Sequence, residues 1–202
     1  MTVPAGFQLV PAALDAAAQK ALAEAVLSAL EAFPAAHYVT PGGKAMSVAM
    51  SNLGPLGWVS DARGYRYQAT HPGTGKPWLA IPQVLLDLWA RHADPAVPPD
   101  ACLVNLYRGT AKMGLHQDRD EADFAFPVLS VSLGDTAVFR IGGTTRGGKT
   151  ASVRLASGDV CLLGAEARLA FHGVDRIIPG SSSLIPGGGR LNLTLRRAGP
   201  IL

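Results

Sequence analysis

His116-Gln-Asp118 sets an imidazole and a carboxylate two residues apart. In an extended segment alternate side chains share a face, so both can reach one atom. That is half of a metal site. Alone, the pair has a plain alternative: a surface turn with a solvated aspartate. His172 shifts the balance, because it follows the apolar Leu169-Ala-Phe171, precedes Gly173, and so sits at a strand end that a jelly roll can return to the first pair. Two imidazoles and one carboxylate leave the opposite side of a metal open, the facial arrangement that serves non-haem Fe(II) with a co-substrate and dioxygen. A structural zinc site would instead close with four protein ligands, commonly with cysteine among them. His37 and His92 follow helical segments and His71 lies in a turn, so none is assigned to the site.

Three further groups surround this triad in type. Arg190-Leu-Asn192-Leu-Thr194-Leu-Arg196 alternates completely between polar and leucine. Such a strand ordinarily turns its polar side to water. The same polar side, with an arginine at each end, also suits a dicarboxylate, since guanidinium pairs with carboxylate through two parallel bonds. Asn105 and Tyr107 share one face of Ala101–Tyr107 and fit either a co-substrate contact or a hydrogen-bonded barrel wall. Trp58, Tyr65 and Tyr67 lie beside Arg63 and Arg66, a mixture used for base stacking and phosphate contact, and equally available to a satellite core under a loop.

The elements that must position these groups are mainly β. Ala101–Tyr107, Val128–Ser132, Ala137–Ile141, Ser152–Leu155, Asp159–Leu163, Arg168–Phe171 and Arg190–Arg196 read as short strands separated by Gly, Pro, Ser or Asp clusters. Strands of this length and spacing predict a barrel or double-sheet jelly roll, a double-stranded β-helix. Two helices flank it. Ala12–Phe33 is amphipathic and closed by Pro34, and Pro82–His92 begins at a proline. The expected division is an N-terminal helical extension over 1–38, a substrate lid with a supporting helix over 39–99, and the catalytic jelly roll over 100–202, all one structural domain.

Composition sets outer limits. At 48% hydrophobic and 16% charged, the 202 residues can build a core and are too apolar for disorder. No apolar run approaches the ~20 residues of a spanning helix. The N-terminus lacks the basic and apolar regions of a secretory signal. Cys102 and Cys161 sit inside apolar runs and read as buried thiols, which predicts a reducing, cytoplasmic setting. A net charge of +3 is compatible with an acidic partner without specifying one.

Thr40-Pro-Gly-Gly43, Met46-Ser-Val-Ala-Met50, Leu56-Gly-Trp58, Asn105-Leu-Tyr107, His116-Gln-Asp118-Arg-Asp120, Ser130-Val-Ser-Leu-Gly134, His172-Gly173 and the Arg190–Arg196 strand follow one another in a familiar order. The chain resembles the AlkB family of Fe(II)- and 2-oxoglutarate-dependent dioxygenases, its bacterial DNA-repair branch above all, from about Val39 to Arg197. The resemblance implies that His116, Asp118 and His172 ligate iron. It implies that Asn105, Leu106, Tyr107, Arg190, Asn192 and Arg196 hold 2-oxoglutarate. Trp58 would stack on an extruded base opposite the His116 ring, and Tyr65, Arg66 and Tyr67 would belong to a lid that grips phosphates. Asp120 would meet the exocyclic amine of the base, and Arg146 the nucleic-acid strand. Lys44 stands where the resemblance implies an aromatic, and can pair with phosphate but not stack.

The activity implied is oxidative demethylation of 1-methyladenine and 3-methylcytosine in single- or double-stranded DNA, with RNA as a further substrate. It would couple 2-oxoglutarate and O2 to succinate, CO2 and formaldehyde, as direct-reversal repair by a monomer without an obligate protein partner or membrane. Two competitors remain: an Fe(II)/2-oxoglutarate hydroxylase of a protein or small molecule, and a catalytically silent nucleic-acid-binding relative.

Overall fold

The computed structural model describes residues 2–200. The chain begins with β1 (Phe7–Val10) and α1 (Ala16–Ala32), followed by β2 (Ala49–Leu53). A hairpin of β3 (Gly57–Asp61) and β4 (Gly64–Gln68) leads to α2 (Gln83–His92). Then come β5 (Ala101–Tyr107), β6 (Met113–His116), β7 (Val128–Gly134), β8 (Ala137–Ile141), β9 (Ala151–Leu155) and β10 (Val160–Leu163). A 3-10 turn (Ala165–Ala167) precedes β11 (His172–Ile177) and β12 (Arg190–Arg196).

These strands form a six-stranded antiparallel sheet, β1-β10-β7-β12-β5-β2, and a four-stranded one, β6-β11-β8-β9. Period-two alternation decides what each face of the large sheet meets. Leu191, Leu193 and Leu195 of β12 join Val104 of β5 and Leu129 and Val131 of β7 against Leu22 and Val26 of α1 and Leu85, Leu88 and Trp89 of α2. The opposite face packs Leu103, Val128 and Leu163 against Phe139, Ile141, Val174 and Ile177 of the small sheet. Two facing sheets with helices outside one of them make a jelly roll. The polar side of β12 therefore lies between the sheets, and all seven of its residues are buried. The solvated reading of Arg190–Arg196 is excluded.

Several boundaries differ from expectation, each for a local reason. α1 starts at Ala16 because Asp15 caps it, its carboxylate accepting from Ala18 N at 2.8 Å, while Ala12 takes a left-handed turn at φ 48°. Pro82 occupies the cap of α2 rather than its first turn. Arg168–Phe171 is not a strand. Arg168 turns inward there, its Nε donating to Phe126 O at 2.8 Å, and the chain becomes extended only from His172. β1 is not expected from the sequence, and β2 only overlaps Met46–Met50, which reads as a short strand or coil. The N-terminal segment thus contributes a strand as well as a helix, and the 39–99 segment supplies a sheet strand besides its hairpin. Among the described residues no helix is long and apolar enough to cross a membrane.

Candidate active site

β6 and β11 bring His116 and His172 directly opposite each other, with ring centroids 4.5 Å apart. Their closeness depends on Gly173. A Cβ there would lie 2.5 Å from Met113 O and 2.8 Å from Gly114 O. Gly173→Ala should therefore push β6 from β11, costing about 1–3 kcal/mol of stability and weakening Mn(II) binding; unchanged melting and metal titration would contradict this.

Asp118 lies just beyond the end of β6, so strand alternation alone does not aim it. Arg168 Nη1 donates to its backbone carbonyl at 2.7 Å, and Arg196 Nη2 to Oδ2 at 2.7 Å. So held, Asp118 Oδ1 is 3.6 Å from His116 Nε2, and Oδ2 is 3.7 Å from His172 Nε2. The three ligand atoms fall within 4.8 Å of one another. Each imidazole Nδ1 faces a backbone carbonyl, Gly114 O at 2.8 Å and Ala170 O at 2.9 Å. Nδ1 must then carry the proton, which leaves both Nε2 lone pairs for a metal. The donor set fits a divalent iron with one side open.

Charge tuning supports ligation. Burial would raise the Asp118 carboxyl, but Arg196, His172 and His116 together outweigh it and hold the group well below the usual carboxylate range. Burial, with His116 alongside, pushes His172 down to about 4. The folded value lies below the unfolded one of about 6.5, so the stabilisation is complete above pH 6.5 and is lost as pH falls towards 4. Chelator-treated protein should lose roughly 3 kcal/mol across that window; a melting temperature that stays flat from pH 7 to 4.5 would refute it.

A cavity of about 440 Å³ opens between the sheets beside the triad. Asn105, Tyr107, Asn192, Thr194 and Arg196 line its buried end. Asn192 Nδ2 donates to Ser130 Oγ at 2.6 Å, and its Oδ1 accepts from Thr194 Oγ1 at 3.1 Å. Some polar atoms remain buried without a hydrogen bond: Asn105 Oδ1, Arg190 Nε and Arg196 Nη1. Arg190 is 0% exposed; Nη2 donates to Ser132 Oγ at 2.8 Å and Nη1 to Leu155 O at 3.3 Å, both neutral acceptors. Among the described residues no carboxylate pairs with it. A buried cation with neutral partners is costly and attracts an anion. The arginines of β12 are thus unlike: Arg196 is already paired with Asp118, and Arg190 is the one lacking a counter-ion. Arg190 lies across from Tyr107 in the β12–β5 register. Gly189, at φ +98°, lets the preceding loop approach; a Cβ there would sit 2.4 Å from Tyr107 O.

At the exposed end Trp58 and Tyr65 stack, centroids 5.5 Å apart and planes 19° off parallel. Trp58 Nε1 donates to Asp120 Oδ2 at 2.8 Å, and the Tyr67 hydroxyl to Glu121 Oε1 at 2.8 Å. The Arg146 guanidinium lies over the Phe171 ring, 4.9 Å from its centroid. The satellite core expected as the alternative for the hairpin aromatics does exist, but on the other side, from Phe33, Val59 and Trp78. Three expected residues do not line the cavity: Arg190, which is fully buried behind it, Leu106 and Arg66. Leu106 alternates to the helix-covered face of β5. Arg66 alternates away from Tyr65 and Tyr67 and pairs with Asp61 at 2.9 Å and Gln68 at 3.2 Å. Glu121 and Arg168, both buried, were not singled out from sequence, because one sits in a charged run and the other in an expected strand.

Comparison with known proteins agrees with this geometry. Residues 6–196 match the model of the 2OG-Fe(II) oxygenase superfamily. The alpha-ketoglutarate-dependent dioxygenase AlkB homolog of Caulobacter vibrioides is 67% identical, over 98% of this chain and 90% of its own. The chain belongs to the AlkB family of 2OG-Fe(II) oxygenases. Escherichia coli AlkB is 45% identical over 82% of this chain and 78% of its own. The solved structure of OsALKBH1 superposes with a TM-score of 0.81 at 32% identity, covering 98% of this chain and 99% of that one. A shorter match, 45% identical over 50% of this chain and 25% of its own, is a DNA N(6)-methyladenine demethylase of Arabidopsis thaliana. As an AlkB-family dioxygenase the chain uses Fe(II), 2-oxoglutarate and O2.

Proposed function

We propose that the chain oxidatively removes methyl groups from 1-methyladenine and 3-methylcytosine in DNA, with RNA as a further substrate. The observation that carries this reading is the Trp58–Tyr65 stack at the cavity's exposed end, tied through Trp58 to Asp120, two residues from the metal-binding Asp118. An aromatic face there receives a base taken out of its stack. The demethylase name of the partial Arabidopsis relative supports the same class.

In this reading His116, Asp118 and His172 hold iron. Arg190 supplies the counter-charge for one carboxylate of 2-oxoglutarate, with Asn105, Tyr107, Asn192 and Arg196 around the rest. Iron and 2-oxoglutarate, once bound together with O2, would supply a two-electron oxidation of the methyl C–H, one oxygen atom going to the new hydroxymethyl group and the other to succinate as CO2 leaves; the hydroxymethyl group would then depart as formaldehyde, leaving N–H on the base. The chain's own task is placement. The β3–β4 hairpin acts as a lid, Trp58 orients the base, and Asp120 favours a ring carrying positive charge, as these methylated bases do. Arg146, on the loop after β8, meets a phosphate. The unpaired, buried thiols of Cys102 and Cys161 fit a reducing compartment, and we place the chain in the cytoplasm as a monomer.

Mass spectrometry of short oligonucleotides carrying 1-methyladenine, 3-methylcytosine or a neutral etheno adduct tests the reading. Expected is 2-oxoglutarate-dependent loss of the methyl group from 1-methyladenine and 3-methylcytosine, faster than any loss of the two-carbon bridge from the etheno adduct. Succinate formation without any change in the oligonucleotides would point instead to a protein or small-molecule hydroxylase.

A further inference from the structure

Glu121 touches neither the metal triad nor the aromatic stack, yet its side chain is only 2% exposed. A buried carboxylate persists when partners compensate it, and here they come from three directions. Arg168 Nη2 donates to Oε2 at 3.1 Å. Arg196 Nε lies 3.1 Å from Oε1, an ion pair misaligned for a hydrogen bond. The Tyr67 hydroxyl of the hairpin donates to that same Oε1 at 2.8 Å. One oxygen therefore serves both the lid and the co-substrate arginine.

Arg196 is consequently held at two points of its fork. Asp118 takes Nη2 and Glu121 faces Nε, which leaves Nη1 buried and without a partner. A guanidinium is planar and rigid, so fixing two of its nitrogens fixes the direction of the third. We infer that Glu121 is a positioning residue that keeps Arg196 Nη1 presented to 2-oxoglutarate and makes that presentation depend on the lid through Tyr67. With the hairpin down, the Tyr67 hydroxyl restrains Oε1, and Oε1 restrains Arg196. A nucleic-acid strand that holds the hairpin down tightens 2-oxoglutarate binding, and by linkage 2-oxoglutarate tightens binding of the strand by the same factor. The inference rests on the reading that Arg196 borders the co-substrate.

Calorimetry of 2-oxoglutarate binding to the full chain loaded with Mn(II), which reports binding without turnover, tests it. The titration is run with and without a short oligonucleotide containing 1-methyladenine. Glu121→Gln, which keeps the shape and removes the charge, should weaken 2-oxoglutarate binding about tenfold. In the wild type the oligonucleotide should raise 2-oxoglutarate affinity about fivefold, and Tyr67→Phe should abolish that enhancement. The phenylalanine variant removes one hydroxyl and keeps the test available if Glu121→Gln does not fold. A general loss of packing would lower the melting temperature without erasing the oligonucleotide dependence. Glu121→Gln binding 2-oxoglutarate as the wild type does, or an enhancement that survives in Tyr67→Phe, overturns the inference alone. A wild-type protein that takes no 2-oxoglutarate overturns the underlying reading, and the inference with it.

Discussion

Asp118→Ala is expected to abolish succinate formation and, separately, to destabilise the metal-free chain. Asp118 is a metal ligand in the proposed reading and also the partner of a buried arginine, with Arg196 at 2.7 Å and side-chain exposures of 7% and 9%. Four charges cluster here, Asp118 and Glu121 against Arg168 and Arg196, and removal of one leaves a net positive charge out of water. Because Glu121 stays beside Arg196, the cost belongs at the low end for an orphaned buried charge, about 3 kcal/mol. His116→Ala is the control. Its side chain is 39% exposed and its loss strands no charge, so it should stop turnover with much less effect on the melting of metal-free protein. Thermal melts with chelator present separate the two roles. Equal melting temperatures for both variants would mean that Asp118 has no structural part.

Arg190→Lys should raise the KM for 2-oxoglutarate by roughly 10–100-fold, the equivalent of one charged hydrogen bond, while the KM for a methylated oligonucleotide changes little. The arginine is fully buried, bonded only to Ser132 Oγ and Leu155 O, with Nε unpartnered. Lysine would keep the charge but lose the planar fork that spans these acceptors and an incoming carboxylate. Steady-state rates against each substrate in turn provide the measurement. A change confined to the oligonucleotide KM would move Arg190 out of the co-substrate site.

Much of the site was legible where it depends on local periodicity. The β12 pattern announced two faces, and the structure has them: leucines under the helices, polar groups between the sheets. The strand Ala101–Tyr107 was read with its observed bounds, and Asn105 and Tyr107 do share the cavity face. The same rule, applied more strictly, would have separated Arg66 from Tyr65 and Tyr67 and Leu106 from Asn105. Both enter through the family resemblance, and alternation turns their side chains away from the cavity. Arg168–Phe171 failed for another reason: its apolar character suited a strand, but a hydrogen bond to Phe126 O, distant in sequence, turned the chain inward.

What the sequence determined by itself was therefore the set of chemical groups and the face on which each strand offers them, because a side chain's face follows from its immediate neighbours. Which group meets which was decided by tertiary structure. Arg190 and Arg196 are equivalent ends of one strand by sequence, yet Arg196 finds Asp118, 78 residues away, and Arg190 finds no counter-ion among the described residues. Burial makes that difference matter. In water both arginines would be satisfied alike, whereas between two packed sheets each depends on the few atoms within reach. Glu121 shows the same principle, an unremarked acid in sequence that folding places among Tyr67 of the β3–β4 hairpin, Arg168 and Arg196.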